Sequence, residues 1–221
     1  MSYFKCKILN SARIKAIFKE IKYAEWQDGV ETYDSVRGNL HGIKNNLECE
    51  IDPSIVHYVL DKNKNFLKYT YAFMSSDPIV SRTPKGGYYK PHFDEPKCGH
   101  FSTTIFLSDP DDYDGGELVL LIDGEEKSFK LKPGESITYE TGTPHRVNKV
   151  TRGDRYAVVF WTTSVITDME DLRAWRYYDM MSEKHMDDLD HDDLISFNNS
   201  LYTHFRNKCN KIFRKYINVT P

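Results

Sequence analysis

The pattern His-x-Asp, which can supply two metal ligands, occurs three times in the sequence: His92/Asp94, His185/Asp187 and His191/Asp193. Residues two positions apart on a β-strand project to the same face, whereas on a helix they point apart and cannot readily bind one ion. Only the first pair lies in a strand-like segment, YYKPHFD. His92 and Asp94 are therefore the candidate ligands.

A third ligand is expected from a distant strand, and His145 in the segment GTPHRV is the natural candidate. The preceding Gly-Thr-Pro predicts a turn that places His145 at the start of a strand, facing the interior. Two histidines and one carboxylate leave coordination positions open, which is typical of non-haem Fe(II) oxygenases. His100 is the nearby candidate for the fourth ligand that a closed structural site would need.

Arg155 follows a turn at TRGD, and we expect it to begin a strand antiparallel to the strand of His145. It would then lie several residues along the barrel from the metal, a gap that its side chain and a five-carbon dicarboxylate could span together. A guanidinium suits a carboxylate because its planar fork stays charged and binds both oxygens. Singly, each of these residues has an ordinary structural explanation; together and in this order, they indicate a metal centre with an anion-binding arginine.

The elements that position these residues are predicted to be mainly β-strands. From Phe66 onward, the spacing of apolar residues changes from the helical repeat of 3.6 residues to the strand repeat of 2 residues. Short strands separated by turn sequences favour an antiparallel sandwich or barrel. The predicted strands are FLKYTYAF, PIVSRT, GYYKPHFD, FSTTIFLSD, ELVLLI, EKSFKL, ESITYE, HRVNKV and RYAVVFWT.

Helices are predicted on the N-terminal side of these strands. One covers about residues 11–21, with Asn10 or Ser11 as its N-cap, and a second begins at Asp52-Pro53. Between them lies an irregular polar stretch. We expect the segments 26–47 and 75–90 to form walls of a substrate groove.

Helices also return on the C-terminal side. Thr167 and Glu170 form a candidate capping box, and a last helix near Asp190 has the apolar stripe Leu194, Phe197, Leu201 and Phe205. We expect the helices at both ends of the chain to buttress the sheet. The fold class is thus mainly β with flanking helices, in one domain over residues 1–221, with a core barrel at about 66–165 and a helical extension at about 167–217.

Composition narrows the choice of partners and compartment. The chain of 221 residues carries 30 basic and 33 acidic side chains, so its net charge of −3 favours neither nucleic acid nor an anionic membrane as a partner. The four cysteines form no Cys-x-x-Cys pair, and there is neither a secretion signal nor an apolar run of about 20 residues. We expect a cytoplasmic protein with reduced thiols.

Several strings beyond the metal residues resemble the PKHD-type hydroxylases, a family of Fe(II)- and 2-oxoglutarate-dependent dioxygenases related to prolyl 4-hydroxylases. They are WQDG from residue 26, KNN from 44, LSDPDDYDGGELV from 107, HRV from 145 and VTRGDRYAVVFW from 150. The resemblance covers nearly the whole length of the chain. LSDPDDYDGGEL is its most specific string.

The resemblance implies a double-stranded β-helix (jelly-roll) core with Fe(II) bound by His92, Asp94 and His145. It also implies that Arg155 binds the distal carboxylate of 2-oxoglutarate and that Tyr89 lies near this co-substrate. The implied reaction consumes 2-oxoglutarate and O2, releases succinate and CO2 and hydroxylates a substrate, with ascorbate as a candidate reductant.

One departure from the family concerns the co-substrate pocket. Relatives have Asn-Arg-Tyr where this chain has Ser81-Arg82-Thr83, so a tyrosine hydroxyl is missing. Arg82 and Tyr88 are the candidates to compensate for it.

By analogy with the family, the expected substrate is a prolyl residue of a protein or peptide. The alternatives are hydroxylation of a free amino acid or another small molecule, and a non-enzymatic cupin-like barrel that binds a metal. Trp161 stands where nucleic-acid demethylases of the superfamily have a second arginine, and Asp94 stands where halogenases have glycine. The oligomeric state stays open, with a homodimer as one candidate.

Overall fold

A computed structural model describes residues 2–30, 42–186 and 201–217 of the chain, and most of its strands form two antiparallel β-sheets. The larger sheet has the order β1-β11-β8-β13-β6-β4-β2, with β5 pairing on β13, and the smaller has the order β10-β9-β12-β7-β3. The strands are β1 (Tyr3–Lys7), β2 (Gln27–Asp28), β3 (Lys44–Asn45), β4 (Leu47–Glu50), β5 (Ala72–Ser75), β6 (Ile79–Thr83), β7 (Tyr88–His92), β8 (Phe101–Phe106), β9 (Leu118–Ile122), β10 (Glu125–Phe129), β11 (Glu135–Glu140), β12 (His145–Val147) and β13 (Arg155–Ser164). This is the predicted jelly-roll architecture.

The described helices are α1 (Ser11–Ile21), α2 (Ser54–Leu60), α3 (Lys64–Thr70), α4 (Met169–Met186) and α5 (Leu201–Ile217). By its internal contacts the chain divides into two compact units, Met1–Thr163 and Ser164–Pro221. The first contains the two sheets and α1 to α3, and the second contains α4 and α5. That the whole chain behaves as one domain, with an extension that buttresses the sheet, stays a prediction.

Helix α1 packs on the larger sheet, as predicted. The side chain of Asn10 accepts a hydrogen bond from the backbone N–H of Arg13 at 3.0 Å, which satisfies one amide of the first turn. Ile17 and Ile21 on the buried face join a core cluster that includes Val80 and other strand residues. The N-terminal part of the chain therefore buttresses the sheet through apolar burial.

The predicted strand FLKYTYAF is wrong in its first half, because Phe66 to Thr70 lie in α3. Asn63 caps this helix by accepting from the backbone N–H of Phe66 at 3.0 Å, and Tyr71 ends it in the left-handed conformation with φ of 50°. The aromatic and β-branched residues of this segment are typical of a strand, which explains the prediction. The Asn63 cap instead stabilises the start of a helix.

The predicted capping box at the start of α4 is also wrong. The side chain of Asp168, rather than Thr167, accepts from the backbone N–H groups of Glu170 at 2.8 Å and Asp171 at 2.9 Å. A carboxylate at this position also interacts favourably with the positive end of the helix dipole.

Within the second unit, ion pairs join α4 to α5. Arg206 contacts the buried Asp179 at 2.8 Å, and Lys215 contacts Asp171 at 2.7 Å. The other residues that the sequence analysis named in this part of the chain lie outside the described residues: Asp187, Asp190, His191, Asp193, Leu194 and Phe197. Within the described ranges, no helix has the length and apolar character needed to cross a bilayer.

Candidate active site

His92 and His145 meet across two neighbouring strands of the smaller sheet. His92 ends β7 and His145 begins β12, and the two residues are directly paired in the antiparallel register. Their ring centroids lie 4.1 Å apart. Asp94 follows two residues after His92, just beyond the end of the strand, and its Oδ1 lies 3.7 Å from His92 Nε2 and 3.6 Å from His145 Nε2.

In the described part of the chain, these three residues are the one group of three or more histidine, cysteine or acidic side chains that could hold a metal ion. Their ligand atoms all lie within 4.8 Å of one another. His100 is not part of the group, so the described structure has no fourth protein ligand of these types beside it. Such an open donor set suits a metal that must also bind exogenous ligands.

Both histidine rings are oriented by the backbone. The Nδ1–H of His92 donates to the carbonyl of Lys90 at 2.8 Å, and that of His145 donates to the carbonyl of Thr143 at 3.0 Å. Because Nδ1 carries the proton of a neutral ring, Nε2 carries a lone pair, and in both histidines Nε2 faces Asp94. Burial lowers the pKa of His92 to about 4, and its Nε2 has no hydrogen-bond partner among the described residues. An unpartnered buried lone pair fits a metal ligand.

Asp94 is oriented by two side chains that the sequence analysis did not assign to the site. Its Oδ2 accepts from Ser102 Oγ at 2.6 Å and from Trp161 Nε1 at 2.9 Å, which leaves Oδ1 facing the histidines. Ser102 and Trp161 are directly paired in the β8–β13 register. Strand alternation from Arg155 places Trp161 on the same inward face, and this was the available sequence signal.

Arg155 lies in the larger sheet, where β13 pairs with β6 and β8. Arg155 begins a strand, as predicted, but the TRGD turn carries the chain from the smaller sheet to the larger one, so this strand does not pair with the strand of His145. That the two strands run antiparallel stays a prediction. Trp161, which contacts Asp94, lies six positions after Arg155 on β13, so the arginine is still displaced along the barrel from Asp94.

The Arg155 side chain is a buried cation, with 2% of its surface exposed and no acceptor for its Nε among the described residues. The guanidinium carbon lies 5.4 Å from the ring centroid of Phe106, and the charge interacts with the phenols of Tyr113 and Tyr139. Burial lowers its pKa. A buried guanidinium with an open donor is suited to an anionic ligand.

A cavity of about 310 Å³ connects these groups. It is lined by all five residues that the sequence analysis assigned to the site: Tyr89, His92, Asp94, His145 and Arg155. The Tyr89 ring stacks on the His92 ring, with centroids 3.5 Å apart and an interplanar angle of 15°.

The two candidates for replacing the missing tyrosine hydroxyl do not line the cavity. Arg82 donates two hydrogen bonds to Asp154 at 2.9 and 2.7 Å, and the Tyr88 hydroxyl donates to the carbonyl of Gly42 at 3.2 Å. Thr83 is directly paired with Arg155 but does not line the cavity either. The expected compensation by Arg82 or Tyr88 is therefore wrong.

The KNN string contributes Lys44 and Asn46 to one wall of the cavity through a buried polar network, and Gly29 of the WQDG string packs against Asn46. Lys44 Nζ donates to Glu48 at 2.9 Å, and Asn46 Nδ2 donates to Glu48 at 2.8 Å and to Ser81 at 2.9 Å. A Cβ atom at Gly29 would lie 2.2 Å from Asn46 Oδ1. Glycine is needed there because the Asn46 side chain occupies the space.

Comparison with known proteins agrees with this geometry. Residues 78–163 match the family model of the 2OG-Fe(II) oxygenase superfamily. A PKHD-type hydroxylase of Delftia acidovorans is 32% identical over 183 residues, which are 75% of this chain and 80% of the relative. The chain belongs to the PKHD-type hydroxylase family.

Solved structures show the same fold for this PKHD-type hydroxylase. A Pseudomonas putida prolyl-4-hydroxylase aligns with a TM-score of 0.54 at 18% identity, covering 74% of this chain and 92% of the other. A prolyl hydroxylase of Trichoplax adhaerens, in complex with a hypoxia inducible factor peptide fragment, aligns with a TM-score of 0.58 at 15% identity, covering 74% and 84%.

Family membership gives the reaction class. The protein is a 2-oxoglutarate-dependent dioxygenase that uses Fe(II) and O2. The alternative of a non-enzymatic metal-binding barrel is set aside. The use of ascorbate as a reductant stays a prediction.

Proposed function

We propose that His92, Asp94 and His145 bind the Fe(II) of this dioxygenase and that Arg155 binds the distal carboxylate of 2-oxoglutarate. The observation that carries the proposal is the convergence of three ligand atoms within 4.8 Å of one another, on side chains whose other polar atoms are already hydrogen-bonded. When bound, the iron supplies the redox chemistry by which 2-oxoglutarate is decarboxylated to succinate while the substrate is hydroxylated.

The chain's own contribution is orientation and exclusion of water. The backbone carbonyls at residues 90 and 143 hold both imidazoles with Nε2 toward the metal position, and Ser102 and Trp161 hold the Asp94 carboxylate. Leu118, Val147 and Val159 form an apolar part of the cavity wall, and Lys44, Asn46 and Glu48 form a polar part. The burial of Arg155 strengthens its interaction with a carboxylate.

Within this proposal, Tyr89 supports the site by covering the His92 ring and facing the co-substrate space. It lines the cavity, and Lys44 Nζ lies 5.2 Å from the centroid of its ring. The Tyr89 ring thereby covers one face of the His92 imidazole, whose orientation in the ring plane is set by the hydrogen bond to the backbone.

The proposed substrate is a prolyl residue of a peptide or protein. Support comes from the fold neighbours, since one is a prolyl-4-hydroxylase and the other holds a peptide fragment. In this chain, Phe93 stands between His92 and Asp94 in the sequence, and 58% of its surface is exposed, so an apolar side chain is accessible next to the two proposed ligands in the chain. The four cysteines are free thiols, which supports the cytoplasm as the compartment.

The experiment is succinate formation by anaerobically purified protein supplied with Fe(II), 2-oxoglutarate and O2, with a panel of proline-containing peptides or with free amino acids. Stimulation by a peptide is the expected result. Stimulation by free amino acids alone would assign the enzyme to small-molecule hydroxylation instead. His145→Ala protein is the matched control, because succinate formed equally by that variant would not come from the proposed centre.

A further inference from the structure

Lys44 is a buried cation in the cavity wall. It is directly paired with Tyr89 in the β3–β7 register, and the side chains of directly paired residues project to the same face of a sheet. Lys44 Nζ lies 5.2 Å from the centroid of the Tyr89 ring, a distance at which a cation is attracted to an aromatic face. This contact connects Lys44 to the ring that covers His92.

A β-bulge explains why Tyr89 and His92 lie on the same face. Residues three positions apart on a regular strand project to opposite faces. Between the pairs that Tyr89 and His92 form with β12, however, β7 has two residues, Lys90 and Pro91, where β12 has one. The extra residue changes the alternation, so the two rings can stack with centroids 3.5 Å apart. Proline is tolerated at bulges because it cannot donate a ladder hydrogen bond.

The ammonium, the phenol ring and the imidazole form a stack. A ring stacked at 3.5 Å leaves no room for an ammonium on the same face, so Lys44 approaches the Tyr89 ring from the other side. The hydrogen bond from His92 Nδ1 to the carbonyl of Lys90 orients the imidazole in its own plane but permits it to tilt about that bond. The Tyr89 ring, packed against one face of the imidazole, restricts this tilt.

An ion pair holds the ammonium in place. Lys44 Nζ donates to Glu48 Oε1 at 2.9 Å, and both residues are buried. A buried ion pair is costly to desolvate and often stabilises a fold no more than apolar side chains of similar volume. Stability alone therefore does not account for a lysine at this position, whereas a fixed cation beside an aromatic face has an effect on the position of that ring.

We propose that Lys44 is a positioning residue for the metal centre, because its ammonium holds the Tyr89 ring against His92. Nε2 of this imidazole is thereby kept directed toward the metal position. Glu48 fixes the ammonium, and Tyr89 transmits the restraint to the ligand. The inference rests on the proposed role of His92 as a metal ligand, and the experiment separates the two.

The test replaces Lys44 without leaving the Glu48 charge unpaired. Lys44→Met/Glu48→Gln removes both charges and keeps a side-chain oxygen for Asn46. Mn(II) affinity is measured by equilibrium dialysis without 2-oxoglutarate, and the visible absorption of Co(II)-loaded protein reports the geometry of the ligands. The variant should bind Mn(II) about 2- to 30-fold more weakly, the factor for a lost cation–π contact, with altered Co(II) bands. Lys44→Arg keeps a cation for the ring and should retain both properties.

Lys130 provides a matched control. Its Nζ lies 4.3 Å from the centroid of the Tyr113 ring and donates to the carbonyl of Tyr113 at 2.7 Å, and neither residue lines the cavity. Lys130→Met therefore removes a contact of the same kind outside the cavity, and its Mn(II) affinity and Co(II) bands should equal those of the wild type. Urea denaturation of both variants separates a loss of stability from a loss of metal binding.

Tyr89→Leu decides whether the effect passes through the aromatic ring. In this background, the changes at Lys44 and Glu48 should cause no further loss of Mn(II) affinity. An additive loss would overturn the inference, and so would wild-type Mn(II) affinity and Co(II) bands in Lys44→Met/Glu48→Gln, or an equal loss in Lys130→Met. Wild-type Mn(II) affinity in His145→Ala would overturn the proposed metal centre as well. If that variant loses the metal and the Lys44 variant does not, only the role of Lys44 fails.

Discussion

The two ends of the cavity are incomplete in opposite ways. At one end, His92, Asp94 and His145 present electron pairs to a common point, and each side chain is held by hydrogen bonds to its other atoms. At the other end, Arg155 is a buried cation whose Nε has no acceptor in the described structure. Buried polar groups normally find partners. One end therefore needs a cation and the other an anion, and a metal-bound oxo-dicarboxylate would complete both.

The largest expected effect comes from removing a metal ligand. His145→Ala should abolish turnover and weaken Mn(II) binding by more than the roughly 10- to 100-fold that loss of an outer partner costs. Equilibrium dialysis and succinate formation measure the two quantities. His100→Ala is the control, because His100 lies near the site in the chain but outside the ligand group. Native Mn(II) affinity in His145→Ala would remove this residue from the proposed ligand set.

At the opposite end, Arg155→Ala should weaken 2-oxoglutarate binding by about 2–5 kcal/mol, the cost of truncating one partner of a buried charge pair. Mn(II) affinity measured without 2-oxoglutarate should stay unchanged. Arg155→Lys keeps the positive charge but loses the two-pronged donor geometry of the guanidinium. Its affinity for 2-oxoglutarate should therefore fall between those of the wild type and Arg155→Ala. Unchanged 2-oxoglutarate binding in Arg155→Ala would mean that another residue holds the carboxylate.

The supporting contacts should have smaller effects. Trp161→Phe removes one of the two donors to Asp94 Oδ2 and should weaken Mn(II) binding by about 10- to 100-fold. Trp26→Phe is the matched control, since Trp26 packs edge-on against Tyr156 at 6.2 Å and does not line the cavity. If both variants bound Mn(II) like the wild type, the hydrogen bond to Asp94 would have no part in metal binding.

The smallest effect concerns the wall between the two ends. Gly29→Ala forces Asn46 away from its contacts with Glu48 and Ser81, so the free energy of unfolding should fall by about 1–3 kcal/mol. Urea denaturation measures the change. Gly142→Ala should have little effect because an added Cβ there meets nothing within 4 Å. Equal stability of the two variants would contradict the role given to Asn46.

The sequence predicted the residues of the site better than their surroundings. Strand alternation was enough to select His92, and a turn was enough to place His145 at a strand start, because both signals are local. The sheet that Arg155 joins was not predictable in the same way, since pairing depends on how distant strands meet. Trp161 was missed for this reason: its contact with Asp94 depends on the register of β13 against β8.

The error at Phe66 has a different physical origin. Aromatic and β-branched residues are common in strands, and this segment contains several of them. It nevertheless forms a helix that is capped by the Asn63 side chain and continues to Thr70. The cap residue was visible in the sequence, and giving it more weight would have corrected the prediction. The sequence alone offered no structural reason for the glycine of WQDG. The structure gives one, because Asn46 occupies the space that a side chain at residue 29 would need.

The affinity of wild-type protein for 2-oxoglutarate, measured with and without Mn(II), tests most directly whether one ligand completes both ends of the cavity. Mn(II) should raise this affinity by about 5- to 150-fold, the usual range of coupling between two ligands, and 2-oxoglutarate should raise Mn(II) affinity by the same factor. Equal 2-oxoglutarate affinity with and without the metal would contradict the account, because the arginine end would then bind its ligand independently of the metal end.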